Sequence, residues 1–127
     1  MVTTATANVS LRPDGIVKIT INHGVKQRMP DAQENLAAIL RIAPPPPAGV
    51  IIDMSGALPL DPEVRHFYAE APLGGVYRAA AFIIAGSPLG RMMGNVYLRI
   101  ARHAIPVKLF TDEASAVAWL GERCKHG

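Results

Sequence analysis

Cysteine occurs once in this chain, at Cys124, so no intrachain disulfide can form and a reducing cytoplasm fits. Charge is sparse as well. Asp, Glu, Lys and Arg make up 18% of the 127 residues while half are hydrophobic, which suits a folded globule and argues against disorder. The net charge of +3 is scattered, with no run of one sign, so the basic residues read as solvated surface and no nucleic-acid partner is expected. Long hydrophobic runs are missing. The most apolar segment, Ala79 to Ala85, falls far short of the roughly 20 residues that span a bilayer. The N-terminal Met-Val-Thr-Thr-Ala-Thr-Ala-Asn has neither the basic region nor the apolar stretch of a signal peptide. These absences lead us to expect a bacterial-type cytoplasmic protein that does not span a membrane.

The usual chemical signatures are absent too. His23, His66, His103 and His126 are scattered, and no pair has metal-ligand spacing. Neither a Walker loop nor a dinucleotide fingerprint occurs, so no metal and no cofactor are expected. Ser87 stands between an apolar run and a helix start, as a nucleophile elbow does. The G-x-S-x-G pattern would need glycines where the chain has Ala85 and Leu89. No nucleophile–base–orienter set can be assembled, and an enzyme is not expected.

What is present is a regular alternation of elements. Val9 to Leu11 and Ile16 to Ile21 flank Arg12-Pro13-Asp14-Gly15, a turn signal in which Pro presets φ and Gly tolerates positive φ. Val17, Ile19 and Ile21 then alternate with polar residues as in a strand with one core face, so the pair predicts a β-hairpin. Pro30 starts a helix with Asp31 and Glu34 at its positive end and Leu36, Ile39, Leu40 and Ala43 at helical spacing. Pro44 to Pro47 ends it in a stiff polyproline spacer. Val50-Ile51-Ile52 and Ala79 to Ala85 read as strands buried on both faces. Asp61 to Ala71 reads as a helix with Asp61 as N-cap and Pro62 at its first position, and Ser87-Pro88 opens another that runs to about Arg102. Pro106 to Phe110 is a last strand. Thr111-Asp112-Glu113 opens the last helix, whose core face is Ala116, Val117, Trp119 and Leu120. The order β-β-α-β-α-β-α-β-α predicts a single α/β domain, with a mainly parallel mixed sheet of about five strands and about four helices.

Four stretches carry a family resemblance across roughly residues 8 to 124. They are Leu11-Arg-Pro-Asp-Gly-Ile16, Val50-Ile-Ile-Asp-Met54, Gly86-Ser-Pro-Leu-Gly-Arg91 and Leu109-Phe-Thr-Asp-Glu-Ala-Ser-Ala-Val-Ala-Trp-Leu120. With the element order, they resemble the STAS-like domains, the fold of bacterial anti-sigma factor antagonists, a group compared with the CRAL-TRIO lipid-transfer fold. In phosphoswitch antagonists the loop after the buried strand ends in Asp-Ser-Ser-Gly, and phosphorylation of a serine there places a dianion at a helix start and breaks partner binding. The matching positions are Asp61-Pro62-Glu63-Val64. The Asp is kept and both serines are gone, so the resemblance implies a domain without the usual phosphoacceptor; Ser55, earlier in the loop, could take its place.

The expected working edge lies where strands end and helices begin. For a protein partner or a second copy of the chain, it comprises Ser55, Ala57, Leu58, Leu60, Asp61 and Glu63, with an exposed apolar patch at Ala57, Leu58 and Leu60. For a ligand, it comprises Ser87, Leu89, Gly90, Arg91, Met92 and Met93. Ser87 reads first as an N-cap, and the backbone N–H groups of Leu89 and Gly90 beside Arg91 could receive an anion. Gly86, Gly90 and Gly94 form a smooth helix face for close packing, with adaptable Met92 and Met93 beside it. A lipid or other amphipathic small molecule would need a cavity of roughly 300 Å³ or more near Met92, Met93 and Phe67. Asp53 and Asp61 bracket the loop and read as structural carboxylates before an acid–base pair. A non-enzymatic regulatory or protein-interaction domain is therefore expected, with a binder of a lipid or other amphipathic or anionic small molecule as the alternative.

Overall fold

Pro13-Asp14-Gly15 turns the chain as its composition demands. Gly15 takes φ +88°, its N–H donates to Arg12 O at 2.9 Å, and Asp14 Oδ1 accepts from Ile16 N–H at 3.1 Å. The computed structural model describes residues 2–42, 48–58, 60–70, 76–84 and 105–124. The turn joins β2 (Ala7–Leu11) to β3 (Val17–Ile21) in antiparallel register, with Val9 opposite Ile19. A short strand β1 (Val2–Thr3) adds to the outer edge of β2. Sequence reading missed it because two residues show no period.

From β3 onward the strands run parallel. They are β4 (Gly49–Asp53), β5 (Ala79–Ile83) and β6 (Val107–Phe110), and the six-stranded sheet keeps chain order from β1 to β6. Two right-handed crossovers stepping the same way must put their helices on the same face. Those helices are α1 (Met29–Arg41) and α2 (Pro62–Ala69), and they pack together. The last helix, α3 (Glu113–Cys124), follows the final strand and covers the opposite face. Three helices therefore stand among the described residues where about four were expected, and the sheet has six strands instead of five. The helix expected from Pro88 to about Arg102 and the spacer Pro44 to Pro47 lie outside the described residues.

Alternation along the strands divides the apolar residues between two cores. Val17, Ile19 and Ile21, Val50 and Ile52, Ala80 and Phe82, and Val107 and Leu109 join the α1/α2 side, where Ala32, Ile39 and Val64 meet them. Ile51, Ala79, Ala81 and Ile83 face α3, whose Ala116 and Leu120 are fully buried one turn apart. Val117 and Trp119 pack at the margin of that second core.

Small residues under α3 let it sit close. A Cβ on Gly49 would stand 3.0 Å from Leu120 Cδ2 and 3.3 Å from Cys124 Sγ. Polar contacts fix the start of the helix. Glu113 is held by both Arg12 and Lys18 of the hairpin. Asp112 accepts the Ser115 N–H at 2.7 Å and the Ser115 hydroxyl at 3.0 Å, an N-cap arrangement.

Two outcomes follow from this seat. Leu120→Ala removes a fully buried side chain from the second core, and urea denaturation should show a loss of about 2–5 kcal/mol. The two Ser115 hydrogen bonds hold the Asp112 carboxyl below its ordinary value. The stability it adds is thus present above the ordinary carboxylate range and is lost as pH falls through the lowered native value. The urea midpoints of the wild type and Asp112→Asn should differ at neutral pH and converge below about pH 4. A constant difference across that range would contradict the assignment.

Candidate functional site

The loops leaving β3 and β4 are built as a pair. After β4, Asp53 Oδ1 accepts the Ser55 N–H at 3.0 Å and the Ser55 hydroxyl at 2.6 Å, closing an Asx turn. Met54 is buried, and its N–H donates to Ile83 O at 2.9 Å. The neighbouring loop then zips on. Gly24 N–H donates to Gly56 O at 2.7 Å, and Leu58 N–H donates to Val25 O at 3.1 Å. The two chains approach so closely that a Cβ on Gly56 would stand 2.9 Å from His23 Cδ2 and 3.2 Å from His23 Cα. Lys26 Nζ lies 3.0 Å from Asp61 Oδ1 and ties the second loop to the start of α2. The result is a double loop whose backbone is held from both sides.

The expected partner residues divide within it. Ser55 and Glu63 are exposed, Ala57 is half-buried against the first core, and Leu58 is 44% exposed. Leu60 is buried at 3%, which corrects its place in an exposed patch. Leu60, Val64 and Phe67 are spaced i, i+4 and i+7, so the first core takes Leu60 as it takes Val64 and Phe67. Asp61 holds the N-cap position by backbone conformation, but its carboxylate pairs with Lys26 and makes no cap hydrogen bond. The expected ligand residues Ser87, Leu89, Gly90, Arg91, Met92 and Met93 lie outside the described residues.

Sequence reasoning missed a buried polar network beside this edge. The Thr4 hydroxyl donates to Asn35 Oδ1 at 2.5 Å, and Asn35 Nδ2 donates to Thr6 Oγ1 at 2.8 Å and to Gln27 Oε1 at 3.0 Å. The Tyr68 hydroxyl donates to the same Gln27 oxygen. Burial holds the Tyr68 phenol well above its ordinary range, so it is a permanent donor. Asn35 and Gln27 are each only 1% exposed. The sequence did offer one sign: Asn35 interrupts the buried stripe Ala32–Ala38–Ile39 of α1.

A second feature lies where β5 and β6 end. Ile84, Leu109, Phe110, Thr111, Asp112 and Ser115 line an open depression of about 250 Å³. Ile84, Leu109 and Phe110 supply apolar lining, and Asp112 is among the polar lining residues. Among the described residues no three His, Cys, Asp or Glu side chains cluster as a metal site would need, and no helix is long and apolar enough to cross a membrane.

Comparison with known proteins places the architecture. An uncharacterized protein of the DUF3478 family with a SpoIIAA-like fold, from Shewanella loihica PV-4, is similar to this chain. The TM-score is 0.59 at 15% identity, covering 94% of this chain and 98% of the other. The fold is accordingly SpoIIAA-like, which is the STAS-like α/β fold. A protein of unknown function from Arthrobacter sp. FB24 is 23% identical over 90% of this chain and 98% of its own, with a TM-score of 0.34. No curated protein matches the sequence. The family model described as a domain of unknown function, DUF7793, matches residues 9–123, and the chain belongs to that family.

Proposed function

We propose that this domain works by binding and not by catalysis, as a regulatory or protein-interaction module whose contact surface is the double loop at the ends of β3 and β4. One observation carries the reading: Leu58 is a large apolar side chain held 44% exposed on a loop that is hydrogen-bonded on both sides. A contact residue presented on a fixed backbone loses little entropy when a partner covers it. Ser55 and Glu63, both exposed, stand on either side of it in the sequence and would supply polar groups for the rim of an interface. Both aspartates of the loop are engaged, Asp53 by Ser55 and Asp61 by Lys26, which supports structural roles for them.

The reading is of a constitutive binder. Pro62 and Glu63 fill the first turn of α2, where a phosphoswitch would place its serine, and Glu63 brings a fixed negative charge there. The partner is another protein or a second copy of this chain.

A small amphipathic ligand is the second reading, supported by the depression of about 250 Å³ at the ends of β5 and β6. Ile84, Leu109 and Phe110 suit an apolar body, and Thr111 and Ser115 suit a polar head. The Asp112 carboxylate in the lining disfavours an anion there.

Leu58→Asp should leave the thermal midpoint within the small change typical of surface sites, about ±0.5 kcal/mol, while reducing capture of a specific partner about tenfold or more. The comparison is quantitative recovery of co-purifying proteins from the native cell with wild-type and variant bait. An identical captured set would remove the first reading. Native mass spectrometry of the freshly purified protein checks the second. It should show a retained small-molecule mass that disappears on denaturation, and a bare protein mass would count against a resident ligand.

A further inference from the structure

The loop that carries Leu58 is held by a second loop, and that second loop is tied down at both ends. Its middle does the holding: Gly24 N–H donates to Gly56 O, and Val25 O accepts from Leu58 N–H. Its ends lead to Thr6, a buried residue in the turn between β1 and β2. At the first end Asn22 N–H donates to Thr6 O at 2.8 Å. At the last end the tie runs through side chains, with Asn35 Nδ2 donating to Thr6 Oγ1 at 2.8 Å and to Gln27 Oε1 at 3.0 Å. The Tyr68 hydroxyl of α2 donates to the same Gln27 oxygen.

The ties near the last end differ in strength. Lys26 and Asp61 form an exposed one, with side chains 52% and 47% open to solvent, and an ion pair that open to water holds weakly. The Gln27 tie is closed to solvent at both Gln27 and Asn35. Breaking a hydrogen bond there strands a polar group away from water, so it resists opening far more than the bridge does. The buried tie therefore decides where residues 24–26 stand.

Core packing alone does not call for these groups. Asn35 stands with Ala32, Ala38 and Ile39 on the buried face of α1, where an apolar side chain would add burial and leave no polar atoms to satisfy. Its amide oxygen takes the Thr4 hydroxyl while its NH₂ group serves Thr6 and Gln27, so one orientation of the amide meets all three. A buried network of this kind fixes a single arrangement of the elements it joins. Here those are the N-terminal turn, the loop of residues 22–27, α1 and α2.

We propose that Asn35 and Gln27 are the positioning residues of the contact edge. Through them the N-terminal turn and α2 hold residues 22–27 in the one place from which that loop presents Leu58, and neither side chain meets the partner. The proposal rests on the partner-edge reading and gives that surface its internal support. Partner binding then depends on hydroxyl groups at Thr6 and Tyr68, which lie behind the surface that is recognised.

Amide hydrogen exchange of the intact ¹⁵N-labelled protein tests the support without a partner. Tyr68→Phe and Thr6→Val cut the network at opposite ends. Each should speed exchange at Gly24 and Leu58 about tenfold or more relative to Ala80 and Ile84, whose N–H groups bond within the sheet to Pro106 O and Phe110 O. Tyr77→Phe is the matched control, since it removes a buried tyrosine hydroxyl that donates to Ile39 O of α1 in the same core. It should change all four amides alike. A uniform change in Tyr68→Phe and Thr6→Val, or none, would overturn the proposal, and if one variant loses its fold the other decides. Recovery of co-purifying proteins supplies the second arm. Tyr68→Phe should lose the set that Leu58→Asp loses. If Leu58→Asp loses that set and Tyr68→Phe keeps it in full, the proposal fails and the edge reading stands. If Leu58→Asp keeps it, the edge reading fails, and the exchange comparison still decides whether the network holds the loop.

Discussion

Val50 and Ile51 are adjacent in the chain, point to opposite faces of the sheet, and are both fully closed to solvent. A strand in that situation cannot exist as part of a two-layer structure, and the rest of the architecture answers its requirement. The crossover helices α1 and α2 can satisfy only one face, because the strands advance across the sheet in a single direction. The other face must be covered by an element that is not a crossover. That task falls to α3, and it explains why Gly49, Ala79 and Ala81 are small, why Leu120 is deeply buried, and why Glu113 is gripped by two cations of the hairpin.

The same one-way order bears on where this domain can act. Open α/β sheets commonly bind ligands in the crevice formed where strand order reverses. No reversal occurs among the described strands. The loops after β3 and β4 leave neighbouring strands side by side, and they join each other by backbone hydrogen bonds instead of standing apart. Where β3 and β4 end, the surface is therefore filled by the paired loops, and among the described residues there Leu58 protrudes.

Legibility in the sequence followed the strength of the local signal. The hairpin around Pro13-Asp14-Gly15, the doubly buried strands at Val50 and Ala79, and the core face of the last helix at Ala116 and Leu120 were all readable, since each rests on a short-range periodicity or a turn residue with a fixed conformation. Strand β1 was not readable, because two residues have no period and its pairing is set by β2. Leu60 was misplaced at the surface because a lone apolar residue before a helix looks like loop, although α2 uses it as the first member of its buried stripe. Asp61 has the right type and place for a cap, yet a cation 35 positions earlier in the chain claims its side chain, and only tertiary structure brings the two together. The double loop and the Asn35 network escaped for the same reason: each joins residues that carry no shared local pattern.

The late position of α3 has a consequence for the chain during synthesis. Neighbouring strands in the sheet are also neighbours in sequence, so pairing can advance as residues emerge. The cover for Ile51, Ala79, Ala81 and Ile83, however, is encoded in the final stretch of the described chain, 101 residues after its anchor at Arg12. Until that stretch leaves the ribosome, no other element among the described residues is placed to cover that apolar strip of the growing sheet. This is the interval in which the protein is most open to sticking to its neighbours and has most to gain from a chaperone.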